Sequence, residues 1–329
     1  MIRRTLLTGL GGTALAAATA RAQAGLPRIA YLSGRSQATD AHLLEAFKEG
    51  LQTLGYVDGR NVTFDVRWAD GRYQEVPEIA RQVAATKPDL FVAVGGNPVG
   101  LAAKAATTTI PVLFAAGADP VSIGLVANLN RPEGNVTGIT LLANELDAKR
   151  LDLLHDLLPG TRRVALMLNP ENPGYGEQLP RAREAAGALG LELQLIDAAT
   201  SAQIRDGFAR IGDKGSDRGA DALSVGADAF LINRRDLILQ LAAERRLPGI
   251  FPAREFAVDG GLLSYGTRWS DMYRILGTYA GRMLKGARPI ELPVQRPATY
   301  ELVINMRTAR TLGVQIPPLI LARADELIE

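Results

Sequence analysis

Small polar residues and glycines follow several apolar stretches of the sequence, and these residue types bind small polar ligands through amides, carboxylates and backbone N–H groups. In open α/β sheets, ligands lie outside the carboxyl ends of the strands, where glycine lets the backbone approach and helix N-termini favour anions. At any single position, turn formation alone selects the same residues. Six such breaks together favour a ligand-binding cleft: residues 33–34, 95–98, 115–120, 169–170, 226–228 and 264–266.

Familiar catalytic and metal-binding patterns are absent from the sequence. It contains no phosphate-binding loop and no H-E-x-x-H pair, and Ser264 stands one residue too far from Gly261 for a G-x-S-x-G elbow. The two histidines, His42 and His155, are more typical of structural or surface positions. The absence of cysteine excludes thiolate nucleophiles, disulfides and iron–sulfur clusters. We therefore predict a protein that is not an enzyme, with no cofactor and no metal site.

The first 24 residues predict an export signal that is removed from the mature protein. A basic start with Arg3 and Arg4 precedes an apolar run rich in alanine and glycine, and residues 22–24 end it with an A-x-A cleavage pattern. The paired arginines resemble a twin-arginine signal, and an ordinary secretory signal fits equally well. The A-x-A pattern predicts cleavage near Ala24. Because no cysteine is available for a lipid anchor, we expect the mature protein to be free in the bacterial periplasm.

The charge balance gives no reason to expect a nucleic-acid partner. The chain carries 37 Lys and Arg residues against 35 Asp and Glu, and the predicted signal contains three of the arginines and none of the acids. The mature chain therefore has a net charge of −1. With 329 residues, 47% of them hydrophobic, the composition is typical of a globular protein with two domains.

The elements that must position the polar breaks are short β-rich runs that alternate with amphipathic helices. The run at 89–94 is almost continuously apolar, which is typical of a parallel strand covered on both faces. The alternation restarts near residue 145, so the sequence predicts two doubly wound α/β halves joined near 138–143. The predicted strands are 28–32, 61–68, 89–94, 110–114, 163–168, 191–196, 222–225, 248–251 and 261–265, with extended segments at 291–294 and 300–305. The predicted helices are 40–54, 76–86, 101–106, 145–158, 177–189, 201–211, 233–245 and 269–284, with a last helix from 307.

Several longer motifs together resemble one family, the exported ABC-transporter substrate-binding proteins of the tryptophan/tyrosine type. They are LGYVDGRNV at 54–62, DPV at 119–121, GLV at 124–126, LNRPEGNVT at 129–137, GGLLSYG at 260–266 and ARADE at 322–326. The resemblance covers 27–329 and implies a type I periplasmic-binding-protein fold with two Rossmann-like lobes and a three-segment hinge. The implied lobes are 25–139 with 267–298, and 140–266 with 299–329. The implied hinge segments lie near 138–140, 265–267 and 297–300.

The resemblance also implies a function, which is to deliver a small metabolite such as an amino acid to a membrane permease as a monomer. It places Ser33, Gly96, Asn97, Gly117 and Asp119 on the first lobe's side of the ligand and Asn169, Tyr175, Asp228 and Tyr265 on the second lobe's side. Asp228 is either the partner of a ligand ammonium or a plain helix N-cap. Tyr175, Phe230, Tyr265 and Trp269 either stack on the ligand, if it is aromatic, or belong to the core. Asn97 stands where relatives often carry a hydroxyl residue, and this departure leaves open a ligand other than an aromatic amino acid.

Two other functions stay open at this point. A sensor subunit would use the same cleft to present a closed form to a membrane receptor. An exported enzyme on the same scaffold would change its ligand chemically. A cytoplasmic repressor with this fold would need an N-terminal helix-turn-helix, and the export signal stands in its place.

Overall fold

The computed structural model describes residues 25–212 and 219–329, so the predicted export signal lies outside the described residues. The strands are β1 Arg28–Ser33, β2 Thr63–Trp68, β3 Leu90–Val94, β4 Val112–Ala116, β5 Val136–Thr140, β6 Arg163–Leu168, β7 Glu192–Asp197, β8 Ala222–Val225, β9 Gly249–Phe251, β10 Leu263–Thr267, β11 Tyr300–Asn305 and β12 Glu326–Ile328. The helices are α1 Gln37–Gln52, α2 Val76–Ala85, α3 Asn97–Ala106, α4 Asp147–Leu157, α5 Tyr175–Ala188, α6 Ser201–Arg210, α7 Ala229–Asn233, α8 Arg235–Glu244, α9 Arg254–Val258, α10 Trp269–Leu284, α11 Met306–Leu312 and α12 Pro318–Leu321. A short 3₁₀ helix covers Pro289–Glu291.

The strands form two separate sheets, and each sheet with its helices is a lobe. The first sheet has the order β2-β1-β3-β4-β5 and is parallel throughout. The second has the order β12-β11-β10-β9-β8-β6-β7, in which β11 and β12 run against the other five. This arrangement confirms the predicted fold class, two doubly wound α/β lobes.

Central strands are apolar because helices cover both of their faces. Every residue of β3 and of β4 is buried, as the continuous apolar run at 89–94 predicted. The strand β5 was not predicted. Its sequence, VTGIT, is short and carries a glycine, and a Cβ at Gly138 would lie 2.1 Å from the Phe114 carbonyl oxygen. The glycine that weakens the strand pattern is thus required by the packing.

The chain passes between the lobes three times. It leaves the first sheet after β5, and after β10 it returns so that α10 packs against α1. The two helices cross closely, since a Cβ at Gly50 would lie 1.9 Å from the Arg274 carbonyl oxygen and one at Gly277 would lie 1.9 Å from the Phe47 carbonyl oxygen. Gln295 then pairs beside β5 before the chain enters the second sheet as β11.

The tail differs from the sequence prediction in one segment. Residues 291–294 were expected to be extended, but the 3₁₀ helix occupies the start of this region, with proline at its first position. The short helices α7 and α9 and the strand β12 were not predicted, because elements of three to five residues give too little periodicity. No helix in the described part of the chain is long and apolar enough to cross a lipid bilayer.

Candidate functional site

A cavity lies between the two lobes, where the carboxyl ends of both sets of parallel strands meet. The space between its walls, open mouth included, is about 390 Å³, but only about 30 Å³ of it is free for the centre of a water-sized sphere. In the described closed form the cavity is therefore narrow. The lining residues come from both lobes and from the connections between them: Arg35, Gly95, Gly96, Asn97, Ala115, Gly117, Leu141, Ala143, Asn144, Asn172, Ala227, Asp228, Ala229, Ile232 and Trp269.

Two glycines end β3 and let the second lobe approach. Gly95 and Gly96 have φ values of 72° and 132°, a region that side chains other than glycine rarely adopt. A Cβ at Gly96 would lie 3.3 Å from the Tyr73 hydroxyl, which is tight, and 3.5 Å from the Ala229 Cβ of the second lobe, which is an ordinary contact. The glycine pair therefore forms part of the floor of the cavity.

Asn97 begins α3 and is held by hydrogen bonds from three directions. Its Oδ1 accepts from the backbone nitrogens of Gly117 at 2.8 Å and Ala118 at 3.1 Å. Its Nδ2 donates to Oδ1 of Asn172 in the second lobe at 2.8 Å. The side chain thus joins two strand ends of the first lobe and one loop of the second.

Asp228 carries a buried carboxylate with four hydrogen bonds. Oδ1 accepts from Asn169 Nδ2 at 3.0 Å and from the Leu231 backbone nitrogen at 3.2 Å. Oδ2 accepts from the Tyr73 hydroxyl at 2.7 Å and from Asn172 Nδ2 at 3.1 Å. Burial raises the pKa of this carboxyl, and the hydrogen bonds oppose that rise. Asp228 is the N-cap of α7, and its four acceptor positions are filled by the protein itself.

Further polar contacts join the lobes around the cavity. Oδ1 of Asn233 accepts from the Ser36 backbone nitrogen at 3.0 Å and from the Thr39 hydroxyl at 2.6 Å. On another side of the cleft, Nε2 of His42 lies 2.7 Å from Oε1 of Glu255. These bonds link α1 and the loop before it to α7 and α9, so the described form is one in which the lobes are closed on each other.

Arg35 places a buried cation on the cavity wall. The residue is 3% exposed, and its guanidinium lies 3.8 Å from the ring centroid of Trp269. Nη1 donates to the Thr39 carbonyl oxygen at 3.3 Å. In residues 25–212 and 219–329 no carboxylate forms an ion pair with Arg35. The buried Asp40 lies nearby and accepts instead from the Tyr31 hydroxyl at 2.8 Å.

Four of the nine predicted ligand residues line the cavity, namely Gly96, Asn97, Gly117 and Asp228. Asn169 does not line the cavity, but its amide donates a hydrogen bond to the carboxylate of Asp228, which does. These residues stand one to three positions beyond the ends of strands β3, β4, β6 and β8, at the edge of the sheets where the strand-end argument applies.

Ser33 and Asp119 lie near the cavity without lining it. The Ser33 hydroxyl, completely buried, accepts from the Arg35 backbone nitrogen at 3.1 Å and shapes the turn after β1. The Asp119 carboxylate accepts from the Val121 backbone nitrogen at 2.9 Å. Both side chains hold turns that support the wall, which is the turn chemistry that selects serine and aspartate at such positions.

Of the four aromatic residues predicted to contact the ligand, one lines the cavity and three do not. The Tyr175 hydroxyl donates to Asp197 at 2.7 Å, within the second lobe, and the Tyr265 ring packs 6.1 Å from the ring of Tyr300. Phe230 is 5% exposed and belongs to the hydrophobic core. Trp269 lines the cavity.

Sequence reasoning missed four residues of the site and its rim: Arg35, Tyr73, Asn144 and Asn172. Arg35 and Asn172 stand two and four residues beyond strand ends, and Tyr73 follows β2, whose end is not among the six polar breaks. Asn144 lies in the connection from β5 to α4, and β5 itself had no clear pattern. The signal available was that all parallel strands of one sheet end at the same edge.

Two doubly wound lobes, three connections and a cavity at the facing strand ends define the type I periplasmic-binding-protein class. The chain belongs to the family of ABC transporter substrate binding proteins, whose family model matches residues 35–328. It is 27% identical over 286 residues to a protein named "Tyrosine-binding protein" from Clostridioides difficile (strain R20291), covering 86% of this chain and 81% of that one.

Solved structures agree on the fold. A conserved domain protein from Vibrio cholerae O1 biovar El Tor matches with a TM-score of 0.84 at 26% identity, covering 92% of this chain and all of that one. The ABC domain in complex with L-Trp from Streptococcus pneumonia matches with a TM-score of 0.82 at 24% identity, again over 92% of this chain and all of that one.

Proposed function

We propose that this protein captures a small metabolite, an amino acid or a related carboxylate, between its lobes and delivers it unchanged to an ABC-transporter permease. The observation that carries the proposal is the buried guanidinium of Arg35 on the cavity wall, which has no carboxylate paired with it in the described residues. A buried charge is costly unless it is offset. The charges of Asp40 and Glu255 offset that of Arg35 without a direct ion pair, and the carboxylate of a ligand would supply a direct partner.

The named relatives support the same ligand class. One is named for binding tyrosine, and another holds L-Trp. Both amino acids carry a carboxylate that suits Arg35. Trp269 contributes an apolar ring to the same wall, although the Arg35 guanidinium already covers one of its faces. We therefore expect the carboxyl end of the ligand to face Arg35.

Ligand binding in this proposal stabilises the closed arrangement of two moving bodies. These are residues 25–139 with 267–298, and residues 140–266 with 299–329, joined near 138–140, 265–267 and 297–300. The hydrogen bonds across the cleft from Tyr73, Asn97 and Ser36 support a closed form that a ligand can favour. A ligand shifts such an equilibrium only by binding the closed form more tightly than the open one.

The mature protein is proposed to act as a monomer in the periplasm after loss of residues 1–24. Its macromolecular partner is then a membrane permease. Co-purification of the mature protein with a permease from membranes tests this step, and co-purification with a receptor kinase instead would contradict it.

Calorimetry with L-tryptophan, L-tyrosine and tryptamine tests the ligand class. We expect Arg35→Gln to weaken binding of L-tryptophan by about 10- to 100-fold, because a hydrogen bond to a charged group contributes about 1.5–3 kcal/mol. Tryptamine lacks the carboxylate, so its affinity should not fall. Arg81→Gln, which removes a surface arginine paired with Glu78, is the matched control. Failure of the wild-type protein to bind any amino acid would contradict the proposed function.

A further inference from the structure

Four buried side chains form a continuous polar chain that runs from the second lobe to the cavity. Arg150 Nη1 donates to Asp147 Oδ1 at 2.5 Å, and Gln178 Nε2 donates to Asp147 Oδ2 at 2.5 Å. Asn144 Nδ2 then donates to Gln178 Oε1 at 3.3 Å. None of the four is more than 6% exposed. Only Asn144, at the end of the chain, lines the cavity.

The ion pair at one end fixes the direction of both amides. A carboxylate only accepts hydrogen bonds, so Gln178 must turn its NH₂ group toward Asp147 and its oxygen toward Asn144. Asn144 must then donate with its own NH₂ group, and its oxygen faces away from Gln178. Burial raises the pKa of Asp147, but Arg150 opposes that rise and is itself always charged at neutral pH. The orientation of the Gln178 and Asn144 amide groups therefore follows from the fact that the Asp147 carboxylate can only accept hydrogen bonds.

The Asn144 oxygen that results is an unused acceptor. It is buried, lies at the cavity wall and has no hydrogen-bond partner in the described part of the chain. A Cβ added at Gly117 would come within 3.0 Å of it, so the glycine keeps the space in front of this oxygen free. A buried acceptor without a partner costs free energy, which a donor from a ligand would recover.

The neighbouring acceptors are already occupied. Asp228 receives four hydrogen bonds, and Oδ1 of Asn97 receives two. A ligand N–H group that approached Asp228 would have to displace a donor of the protein. The oxygen of Asn144 needs no such displacement.

We propose that Oδ1 of Asn144 accepts an N–H of the bound ligand, the ammonium group of an amino acid, and that Asp147, Arg150 and Gln178 are positioning residues for this acceptor. The inference rests on the proposed function, because it requires a small ligand in this cavity. It assigns the ammonium to Asn144 instead of Asp228. A ligand with a carboxylate or carbonyl oxygen at that position is disfavoured, because two acceptors would then face each other.

Arg150 also ties the acceptor to the connections between the lobes. Its Nε donates to the Tyr265 carbonyl oxygen at 2.9 Å, and its Nη2 donates to the Ala143 carbonyl oxygen at 3.2 Å. The Asn144 backbone nitrogen donates to the Gly117 carbonyl oxygen at 3.2 Å, across to the first lobe. The acceptor is therefore held where two connections and both lobes meet.

The test compares L-tryptophan with indole-3-propionate, which lacks only the amino group. We expect the wild-type protein to prefer L-tryptophan by at least about tenfold, and Asn144→Leu, of similar size, to lose most of that preference. Gln178→Leu, which frees the Asn144 amide to turn, should narrow the preference by a smaller factor. Asn305→Leu is the matched control, since Asn305 is 4% exposed and lies away from the cavity with its amide bonded to the Ala257 carbonyl.

The outcomes separate this inference from the proposed function. If Asn144→Leu weakens both probes by the same factor, or leaves the preference unchanged, the assignment of the ammonium to Asn144 is wrong while ligand binding stands. If the wild-type protein binds neither probe nor L-tyrosine, the proposed function fails, and the inference fails with it. Thermal unfolding of each variant shows whether it is folded. If Asn144→Leu does not fold, the preference of Gln178→Leu for L-tryptophan over indole-3-propionate tests the inference instead.

Discussion

The hydroxyl of Tyr73 donates a 2.7 Å hydrogen bond to Oδ2 of Asp228, from the first lobe to the second. The Ala229 backbone nitrogen donates to the same hydroxyl at 3.2 Å. Burial raises the pKa of the Tyr73 hydroxyl well above its ordinary value, and the Asp228 charge raises it further, so the phenol keeps its proton. A buried, charge-assisted bond therefore helps to join the two lobes beside the cavity.

Tyr73→Phe should weaken ligand binding by about tenfold, because it removes a hydrogen bond to a charged group worth about 1.5 kcal/mol in the closed form only. Calorimetry with L-tyrosine measures the loss, and small-angle scattering should show a larger open fraction. Tyr175→Phe is the matched control, since its hydroxyl bonds Asp197 inside the second lobe. Equal losses in the two variants would contradict a role of Tyr73 in closure.

Trp269 should report ligand binding by its fluorescence. The chain has two tryptophans, and only Trp269 lines the cavity, where it stacks with the Arg35 guanidinium. We expect addition of L-tyrosine to change the emission of the Trp68→Phe variant and to leave that of Trp269→Phe unchanged. A signal that survives in Trp269→Phe and disappears in Trp68→Phe would place the ligand elsewhere.

The bond between His42 and Glu255 should stabilise the folded, closed form by an amount that decreases in acid. Burial favours a higher pKa for Glu255, but the bond to His42 and the charge of Arg35 outweigh it and lower the pKa to about 2. Because this lies below the ordinary value of 4.5, ionised Glu255 stabilises the fold above pH 4.5, and the contribution is lost as the pH falls toward 2.

The stability difference between the wild-type protein and Glu255→Gln should therefore narrow as the pH falls below 4.5. Thermal unfolding at a series of pH values measures it. Glu133→Gln, at an exposed position, should show no such narrowing. A Glu255→Gln difference that widens with acid would contradict this account.

The buried pair of Arg150 and Asp147 should matter more for stability than any surface pair. Arg150→Leu leaves a buried carboxylate without its cation, and we expect a loss of about 3–5 kcal/mol in the free energy of unfolding. Glu326→Gln breaks a two-bond pair with Arg254 at the surface and should cost less than about 1 kcal/mol. Denaturant unfolding compares the two, and similar losses would contradict the prediction.

The sequence predicted the two-lobe fold well because its central strands are continuous apolar runs between amphipathic helices. It also predicted that Gly96, Asn97, Gly117 and Asp228 lie at the cleft, since residues shortly after parallel strands meet at one edge of the sheet. Their contact with a ligand stays a prediction. Tyr265 shows the limit of this argument. It lies within β10, where successive side chains point to opposite faces, and its ring packs against Tyr300 and is not part of the cavity wall.

Asn144 could not be found from the sequence at all. Its position depends on the unpredicted strand β5, and the direction of its amide depends on Asp147, Gln178 and Arg150, which meet only through tertiary packing. Nothing in the spacing of these residues distinguishes them from an ordinary amphipathic helix. Buried polar networks of this kind are a tertiary property.

Mass spectrometry of the small molecules released from natively purified mature protein tests the central claim most directly. The account predicts an amino acid or a close relative, with both a carboxylate for Arg35 and an N–H donor for Asn144, at up to one molecule per protein. Recovery of no such compound, together with no thermal shift across amino acids, peptides, sugars and aromatic acids, would contradict it.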